Sequence, residues 1–249
     1  MAKLNGILKI EGTLQDMTFY KTQDGHLVKT KSGVSGDRIA NDPAFARTRE
    51  NGSEFGFAAS AGKLLRDAVR TMVSTASDNR ITARVTQVMT QIKDFDTTSM
   101  RGERTVDVGI ATAEGKALLK GFNFNDKAIL GAILYKPYAV NTSTGVISIA
   151  DLVPINDIAA PTGATHVSIK GAFTIVDFAA GTSDVGYTNI QNLALDGTST
   201  SVTLTPASVP SGSGIKLFLL QVEFFQEVNA VQYSLNNGAY NGLAIVEIV

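Results

Sequence analysis

The second half of the chain is a series of short β-prone runs, and this pattern constrains the fold more than any other feature. From about residue 105 the runs recur at regular intervals, separated by Gly, Asn, Asp, Ser and Pro. Eight or so strands with turn signals at this spacing predict an antiparallel, immunoglobulin-like β-sandwich. The expected strands are 128–135, 146–149, 166–173, 174–178, 201–205, 215–227, 231–235 and 243–249, with a short helix at 112–120.

The run 216–225 is the most informative of these strands. Four alternating side chains share one face and are expected to anchor the core: Phe218, Leu220, Val222 and Phe224. The other face begins apolar and turns polar at Gln221 and Glu223. This pattern predicts a central strand that is covered along half of its second face.

Residues 4–31 predict a small β-meander. Its first strand is Leu4–Ile10, and Gly12 ends it. Asp24-Gly25 then lies between two β-prone runs, which is a strong signal for a hairpin.

Two helices are expected after a Gly- and Ser-rich loop. Asn41-Asp42-Pro43 supplies a helix cap followed by proline at the first helical position. Each helix has an apolar stripe: Phe57, Ala61, Leu64, Leu65, Ala68 and Met72 in the first, and Ile81, Val85, Val88, Ile92 and Phe95 in the second. The short turn around Ser77 to Asn79 predicts an antiparallel helical hairpin.

The expected fold class is therefore α+β, with a β-hairpin and two-helix domain at 1–104 and an antiparallel β-sandwich at 105–249. The first domain has 16 Lys and Arg against 12 Asp and Glu, and the second has 6 against 11. Complementary charge of this kind steers head-to-tail association between copies. The alternative is that the two domains differ in charge by chance.

Composition excludes several classes of function. Of 249 residues, 44% are hydrophobic and only 18% are charged, which suits a β-rich protein that hides surface against partners. The net charge of −1 gives the whole molecule no electrostatic attraction to nucleic acid or anionic membrane. The absence of cysteine excludes disulfides, thiol nucleophiles and cysteine-based metal sites.

Targeting signals are also absent from the sequence. The first residues alternate and carry charges, unlike the apolar stretch of a secretory signal, and no run is apolar enough to span a membrane. We expect the protein to be made and folded in the cytoplasm, whatever its later destination.

No motif indicates catalysis, a metal or a cofactor. The two histidines, His26 and His166, fall in different expected domains and have no ligand spacing. The run from Ser211 to Gly214 resembles a nucleophile elbow only superficially, because it precedes a strand and is expected to be a flexible loop. No phosphate-binding or dinucleotide-binding glycine motif is present. We expect no catalytic residues, no metal and no cofactor.

The carboxylate side chains do not indicate a catalytic or metal site either. Asp94 and Asp96 are expected to point to solvent on either side of Phe95, and Glu223 and Glu227 lie at a strand end. No Asp-x-Asp-x-Asp calcium loop occurs. The sequence thus predicts a protein that is not an enzyme.

Two binding alternatives remain open. Aromatic platforms on a sandwich can stack on sugars, and the chain offers Tyr135, Tyr138, Tyr187, Tyr233 and Tyr240, although tyrosine is also an ordinary strand residue. Basic residues could contact nucleic acid, although they also fit a solvated helix face: Arg66, Arg70, Arg80, Arg84, Lys93, Arg101 and Arg104.

The order of parts resembles a known group of proteins. A Gly-rich start precedes Phe19-Tyr20-Lys21 and Val28-Lys29, a helical pair follows, and the sandwich ends in the run 237–243, Asn-Gly-Ala-Tyr-Asn-Gly-Leu. This layout is similar to that of proteins from Bacteroidetes bacteria and their phages. The resemblance implies a phage-like or phage-derived structural protein and carries over no catalytic residue.

These observations predict a structural protein that assembles with copies of itself into a tube, filament or virion layer, in contact with other particle components. The alternative is a sandwich that binds carbohydrate or a cell-surface partner. Strand addition at the two chain ends is an economical way to join copies. The expected interface residues are Leu4, Ile7, Ile10, Leu243, Ile245 and Ile248. The alternative for each end is a strand that completes its own domain.

Overall fold

The computed structural model describes residues 2–3, 10–23, 25–30 and 33–249. The chain forms two compact units, Met1–Arg49 and Glu50–Val249. The expected boundary after residue 104 lies inside the second unit. Residues on both sides of it, such as Ile92 and Leu217, belong to one hydrophobic cluster, because helices formed before residue 104 cover the sheet formed after it.

The first unit contains a four-stranded antiparallel sheet of order β1-β4-β3-β2. Its strands are β1 (Ala2–Lys3), β2 (Gly12–Leu14), β3 (Met17–Thr22) and β4 (Gly25–Thr30). The predicted hairpin is confirmed, since β3 pairs with β4 and Thr22 lies opposite Gly25. Gly25 has a φ of 109°, which residues with a side chain rarely adopt. Asp24 of the predicted turn and residues 4–9 of the predicted first strand lie outside the described residues.

Helical turns follow the sheet of the first unit. Helix α1 (Gly36–Asn41) is capped by Ser35, and a 3-10 turn (Pro43–Phe45) is capped by Asp42, whose carboxylate accepts the Ala44 amide. The predicted capping by Asp42 with Pro43 is therefore confirmed. The long helix α2 (Ala46–Ala68) begins directly after this turn.

The second unit contains the remaining helices and strands. The helices are α3 (Arg70–Val73), α4 (Ile81–Lys93), α5 (Val106–Ile110), α6 (Ala113–Leu119), α7 (Leu130–Ile133) and α8 (Pro154–Asp157). The strands are β5 (Ala139–Val140), β6 (Ile147–Leu152), β7 (His166–Asp177), β8 (Thr182–Tyr187), β9 (Gln191–Ala194), β10 (Thr200–Leu204), β11 (Ile215–Val228), β12 (Val231–Ser234) and β13 (Gly242–Ile248).

Helices α2 and α4 form the predicted antiparallel hairpin. Glu54 near the start of α2 contacts Lys93 at the end of α4, and Gly62 lies against Val85. The buried seam of α4 is Ile81, Val85, Met89 and Ile92, with Val88 only half-buried. The predicted seam is therefore wrong at one position, because Met89 and not Val88 is the fully buried residue there. A straight helix keeps a period of 3.6 residues, whereas the predicted spacing of 4-3-4-3 requires supercoiling.

The predicted stripe of α2 is wrong at one position. Ala61, Leu65 and Ala68 are buried as predicted, together with Ala58, whereas Phe57 is 45% exposed. The small residues allow α4 to approach closely, because a side chain at Gly62 would lie 3.0 Å from Val85 Cγ1.

A six-stranded antiparallel sheet is built around the long strands β7 and β11, and a second sheet has the order β10-β6-β5. One face of the large sheet packs on the helices through Ala172, Leu217 and Leu219. The opposite face packs on the small sheet through residues such as Phe173 and Phe218, whose rings stack at 4.6 Å. The fold is α+β, with sandwich-like packing of two antiparallel sheets, as expected.

Strand β11 is covered more completely than predicted. Gln221 and Glu223 on its second face are both buried. The Gln221 amide donates to Met72 O in α3 and to Thr75 Oγ1 just after that helix. Helix α3 and the residues after it therefore cover the end of the face where the sequence predicted exposure.

Several predicted strands also need correction. The predicted strand 128–135 is a loop with helix α7, whose first amide, that of Leu130, donates to the Asn123 side chain. Runs 166–173 and 174–178 are one continuous strand, β7. The helix predicted at 112–120 is confirmed as α6, capped by Thr112.

Candidate assembly surfaces

One side of the sheet in the first unit carries a cluster of apolar side chains. In an antiparallel ladder, residues directly opposite each other project to the same side. Leu14 lies opposite Met17, and Phe19 lies opposite Val28. Because Met17 and Phe19 alternate along β3, these four side chains share one side. Lys21 and His26, which lie opposite each other near the turn, project to the same side. We call Leu14, Met17, Phe19 and Val28 the sheet face.

The other side of the same sheet is more polar, although Tyr20 and Leu27 lie opposite each other there. Thr13 lies opposite Thr18, with the two hydroxyl oxygens 3.3 Å apart. Thr18 lies opposite Lys29, whose ammonium nitrogen is 5.5 Å from the centre of the Tyr20 ring. The two sides of the sheet therefore differ in chemistry, although both are built from the same strands.

The sheet face is open. Leu14 is 61% exposed and Met17 is 45% exposed, while Phe19 and Val28 are half-buried. Among residues 10–23, 25–30 and 33–49, every side chain is exposed or half-buried. The described part of this unit therefore has no hydrophobic core of its own, and a sheet of this size needs a covered apolar face to be stable.

A second apolar surface lies between α2 and α4. It is a groove of about 780 Å³, whose described lining includes Phe55 and Ala59 from α2 and Ala83, Thr86 and Thr90 from α4. We call it the helix groove. Phe55 is 58% exposed at its edge. Arg80 is the only charged side chain among the described residues that line it.

The threonines of the helix groove have satisfied hydroxyls. Thr86 Oγ1 donates to the Thr82 carbonyl at 2.9 Å, and Thr90 Oγ1 donates to the Thr86 carbonyl at 2.8 Å. Because these hydroxyls bond back to the helix, the threonine methyl groups supply apolar surface. The groove is therefore more apolar than its sequence indicates.

A buried charged cluster fixes the two helices that form the groove. Glu54 is 2% exposed, and its carboxylate accepts from Arg104 Nε at 2.8 Å, from Arg104 Nη2 at 2.7 Å and from Lys93 Nζ at 2.5 Å. The Gly102 amide adds a fourth bond at 2.8 Å. Chiefly through Arg104, these bonds lower the pKa of Glu54 to about 2 against the opposing effect of burial.

The cluster corrects two expectations about charge. Lys93 was expected on a solvated helix face, but it is buried between Glu54 and Asp94. Asp96 was expected to point to solvent, but it is buried and accepts the amides of Thr98, Ser99 and Thr105. Burial alone would raise the pKa of Asp96. The hydrogen bonds that its carboxylate accepts, led by those from Ser99, outweigh burial and hold the pKa well below its ordinary value.

Glu54 was not predicted from the sequence. Its partner Arg104 lies 50 residues away, so no local spacing connects the two. Only the antiparallel packing of α2 and α4 brings Glu54 beside Lys93.

The predicted interface residues have different locations. Leu4 and Ile7 lie outside the described residues, whereas Ile10 is 45% exposed. Leu243, Ile245 and Ile248 are buried in β13, which pairs with β11 of the same sheet. The C-terminal strand therefore completes its own unit, which was the alternative, and its apolar side chains are not available to a neighbour.

Groups that could do chemistry are dispersed or paired. His26 lies in β4 and His166 begins β7, where its Nε2 is 3.5 Å from Glu227 Oε2. Glu223 is bonded to Gln221 and lies 3.1 Å from Lys170 Nζ. Among the described residues, no group of three or more His, Cys, Asp or Glu side chains is arranged to hold a metal ion.

The tyrosines do not form one platform. Tyr233 and Tyr240 are exposed near the last hairpin, and Tyr240 lines a small cavity of about 220 Å³ beside Pro161. Tyr187 instead packs against the core between helices and sheet. Tyr135 and Tyr138 are exposed in the segment after α7.

No helix in the described part of the chain is long and apolar enough to cross a membrane. No protein-family model, curated protein or solved structure matches the sequence or the fold. The functional argument therefore depends on the chain's own surfaces.

Proposed function

We propose that this chain is a non-enzymatic structural protein that assembles with copies of itself into a tube, filament or phage-like particle layer. The observation that carries the proposal is the open sheet face on a unit whose residues 10–23, 25–30 and 33–49 include no buried side chain. Large exposed apolar patches mark interaction sites in soluble proteins. Each copy thus presents a surface whose burial by a neighbour is favourable.

The energy available at this surface is adequate for a repeated contact. Full burial of a large apolar side chain contributes roughly 1.5–3 kcal/mol relative to exposure. Leu14 and Met17 retain about half or more of their exposure, and Phe19 and Val28 retain a smaller share. Their coverage by a neighbour is worth on the order of a few kcal/mol for each contact, and a polymer repeats that contact at every subunit.

Charge also favours association between copies. Residues 1–49 have eight Lys and Arg against five Asp and Glu, whereas residues 50–249 have 14 against 18. The basic first unit of one copy is therefore attracted to the acidic second unit of another. Salt should slow this encounter more than it weakens the finished apolar contact.

Sedimentation velocity and negative-stain microscopy test the proposal with matched variants. Wild-type protein should form regular species much larger than the monomer. Leu14→Lys should reduce assembly, because it places a charge on the sheet face at a position too exposed to disturb folding. Thr13→Lys is the control, since it places the same charge on the opposite side of the same strand.

The outcomes separate two parts of the proposal. A wild-type monomer at all concentrations and salt conditions would contradict self-assembly itself. If Leu14→Lys and Thr13→Lys both assembled like wild type, the sheet face would not be an assembly surface. Circular dichroism should show that both variants keep the wild-type secondary structure.

A further inference from the structure

We propose that the edge strand β12 of one copy pairs antiparallel with β12 of a second copy, in a register centred on Gln232. This inference rests on the proposed function and names a backbone contact that joins two copies. Strand β12 ends the six-stranded sheet, and in the described part of the chain no strand pairs with its outer edge.

The outer edge of β12 lacks the features that usually protect an edge strand. Lysine, proline or a β-bulge protects many natural edges, because unpaired N–H and C=O groups attract other strands. The run 228–234, Val-Asn-Ala-Val-Gln-Tyr-Ser, contains no charged residue and no proline. Its pairing with β11 continues without a bulge, from Val228 opposite Val231 to Phe225 opposite Ser234. The edge is therefore open to a further strand.

The hairpin determines which backbone groups point outward. Strands β11 and β12 are joined by a loop of two residues, Asn229 and Ala230, whose φ angles are both positive, at 52° and 61°. Val228 and Val231 flank this loop, so their backbone groups bond to each other, and the bonding direction alternates along the strand. The N–H and C=O of Gln232 therefore point away from β11, toward the outer edge.

Exposed apolar side chains flank this outward-pointing residue. Val231 and Tyr233 are 50% and 58% exposed, and they project to the same side of the sheet because they alternate with Gln232. Val228 lies opposite Val231 on that side and is also exposed. Single exposed apolar side chains are common, whereas three neighbours on one hairpin form a patch that a partner can cover.

The sequence around Gln232 is self-complementary. When two β12 strands pair around a two-fold axis at Gln232, the N–H of each Gln232 donates to the Gln232 carbonyl of the other copy. Val231 of each copy then lies opposite Tyr233 of the other, in a non-hydrogen-bonded pair whose side chains are close. Pairs of aromatic and β-branched residues stabilise antiparallel sheets, and the symmetry forms this pair twice.

A register centred on Tyr233 fits less well. It would place Leu235 opposite Val231 of the other copy, and Leu235 begins a 3-10 turn (Leu235–Gly238). Because the backbone of this turn is not extended, it cannot continue a ladder beside Val231. The register centred on Gln232 pairs Val231 with a residue that belongs to the strand.

Side-chain bonds hold β12 in place on the other side of the sheet. Gln232 exchanges two hydrogen bonds with Asn192 of β9, at 2.8 and 3.2 Å, and its amide also donates to Glu227 Oε2 at 3.4 Å. In a flat sheet β9 and β12 would be three strand spacings apart, about 14 Å, so the sheet curls here. A strand that is fixed in this way loses little conformational entropy when it gains a partner.

Charge does not oppose this contact. Glu227 lies opposite Gln232 on β11, and it would be about 14 Å from Glu227 of the second copy, because two β12 strands lie between them. That distance exceeds the Debye length of about 8 Å at physiological ionic strength. Residues 228–234 offer no charge to a basic or acidic partner, whereas their register suits the same strand of a second copy.

This contact joins two copies but does not by itself build a polymer. A two-fold contact is closed, so it produces a dimer in which the two large sheets become continuous. Because β12 has only four residues, the contact should be weak alone and stronger within an assembly that holds the copies together. A polymer needs a second contact on each copy, for which the sheet face is the candidate.

Cysteine cross-linking tests the register, because the natural chain has no cysteine. One full-length variant carries Val231→Cys and a second carries Tyr233→Cys. The two are mixed in equal amounts, assembled and oxidised, and the disulfide-linked dimers are identified by mass. Mixed dimers should exceed the half of all dimers that random pairing gives. In the matched control Val228→Cys replaces Tyr233→Cys, and the enrichment should disappear because β11 lies one strand further from the axis.

A second measurement does not depend on disulfide geometry. Gln232→Pro removes the outward N–H that the contact needs, and proline is tolerated in an edge strand where that group faces solvent. It should lower the association constant at least about tenfold, because two hydrogen bonds are lost from each dimer. Gln232→Ala is the control, since it keeps the N–H and should associate much more strongly than Gln232→Pro. Sedimentation velocity over a concentration series measures both variants, and circular dichroism checks their folding.

Three results would overturn the inference while leaving self-assembly intact. The first is a wild-type protein that assembles while the mixed Val231→Cys and Tyr233→Cys dimers show no enrichment. The second is a predominance of dimers between two Tyr233→Cys chains, which would show a register centred on Tyr233. The third is a folded Gln232→Pro variant that associates as strongly as Gln232→Ala. A wild-type protein that stays monomeric at all concentrations would instead contradict both the proposed function and this contact.

Discussion

The two units of this chain bury their side chains very differently. The second unit has two hydrophobic clusters, one on each face of a six-stranded sheet, and strand β11 is covered on both sides. Residues 10–23, 25–30 and 33–49 of the first unit include no buried side chain, although one side of its sheet carries an apolar cluster. The same physical rule applies to both: an apolar sheet face is stable only when it is covered. The second unit covers its sheet faces internally, whereas Leu14 and Met17 in the first unit stay exposed.

The largest expected effect compares two phenylalanines. Phe218→Ala should lower the free energy of unfolding by about 3–5 kcal/mol, because Phe218 is fully buried and stacks on Phe173. Phe19→Ala should change it by less than about 1 kcal/mol in dilute protein, because Phe19 is only half-buried. Urea denaturation followed by circular dichroism measures both. Equal losses would show that the two units are equally well packed.

Glu54→Gln should have the next largest effect. Removing this carboxylate leaves Lys93 and Arg104 without their buried partner, and breaking a buried ion pair costs about 3–5 kcal/mol. Glu50→Gln is the control, because the Glu50–Arg101 pair is solvent-exposed and such pairs contribute about 0–1 kcal/mol. A similar small loss in both variants would contradict the structural role of the Glu54 cluster.

Acid should weaken the second unit through the same carboxylate. The pKa of Glu54 is lowered from 4.5 to about 2 on folding. Its contribution is therefore complete above pH 4.5 and is lost as the pH falls from 4.5 toward 2. The free energy of unfolding of Glu54→Gln should depend less on pH across this window than that of wild type. Identical slopes would indicate that Glu54 does not titrate with a lowered pKa.

The smallest expected effect is within α2. Gly56→Ala should raise the free energy of unfolding by about 0.5–1 kcal/mol, because a methyl group there meets nothing within 4 Å and glycine is a poor helix former. Gly62→Ala should gain less or lose stability, because its methyl group would crowd Val85 Cγ1 at 3.0 Å. Equal gains in thermal denaturation would show that α4 does not pack closely at Gly62.

The strands of the second unit were largely predictable because their signal is local. Alternation along 215–227 gave β11 within one residue, and the turn signals gave β6, β10 and β13 within a few residues. The strand predicted at 128–135 was wrong because the apolar residues of this run also suit a buried helical turn. The bond from the Leu130 amide to Asn123 makes it one. Local propensity cannot anticipate such a tertiary partner.

The candidate surfaces were predictable only in part. The sheet face could have been derived from the β3–β4 hairpin, since register alone places Met17, Phe19 and Val28 on one side. The helix groove could not, because Phe55, Ala83 and Thr90 come from two helices whose mutual rotation depends on packing. The C-terminal residues Leu243, Ile245 and Ile248 were predicted at an interface but are buried in their own sheet. An apolar strand has the same sequence pattern whether its own sheet or a neighbour's sheet covers it.

The sequence by itself determined the α+β class, the hairpin at β3 and β4, the helical pair and most of the strands, because each depends on residues close together along the chain. Only the tertiary structure decided which apolar surfaces are covered. Burial depends on contacts between distant segments, such as Gln221 with Thr75 and Glu54 with Arg104. The tertiary structure thus assigned Leu243, Ile245 and Ile248 to the core and left Leu14, Met17 and Phe55 open, because solvent exposure depends on the arrangement of the whole chain rather than on local pattern.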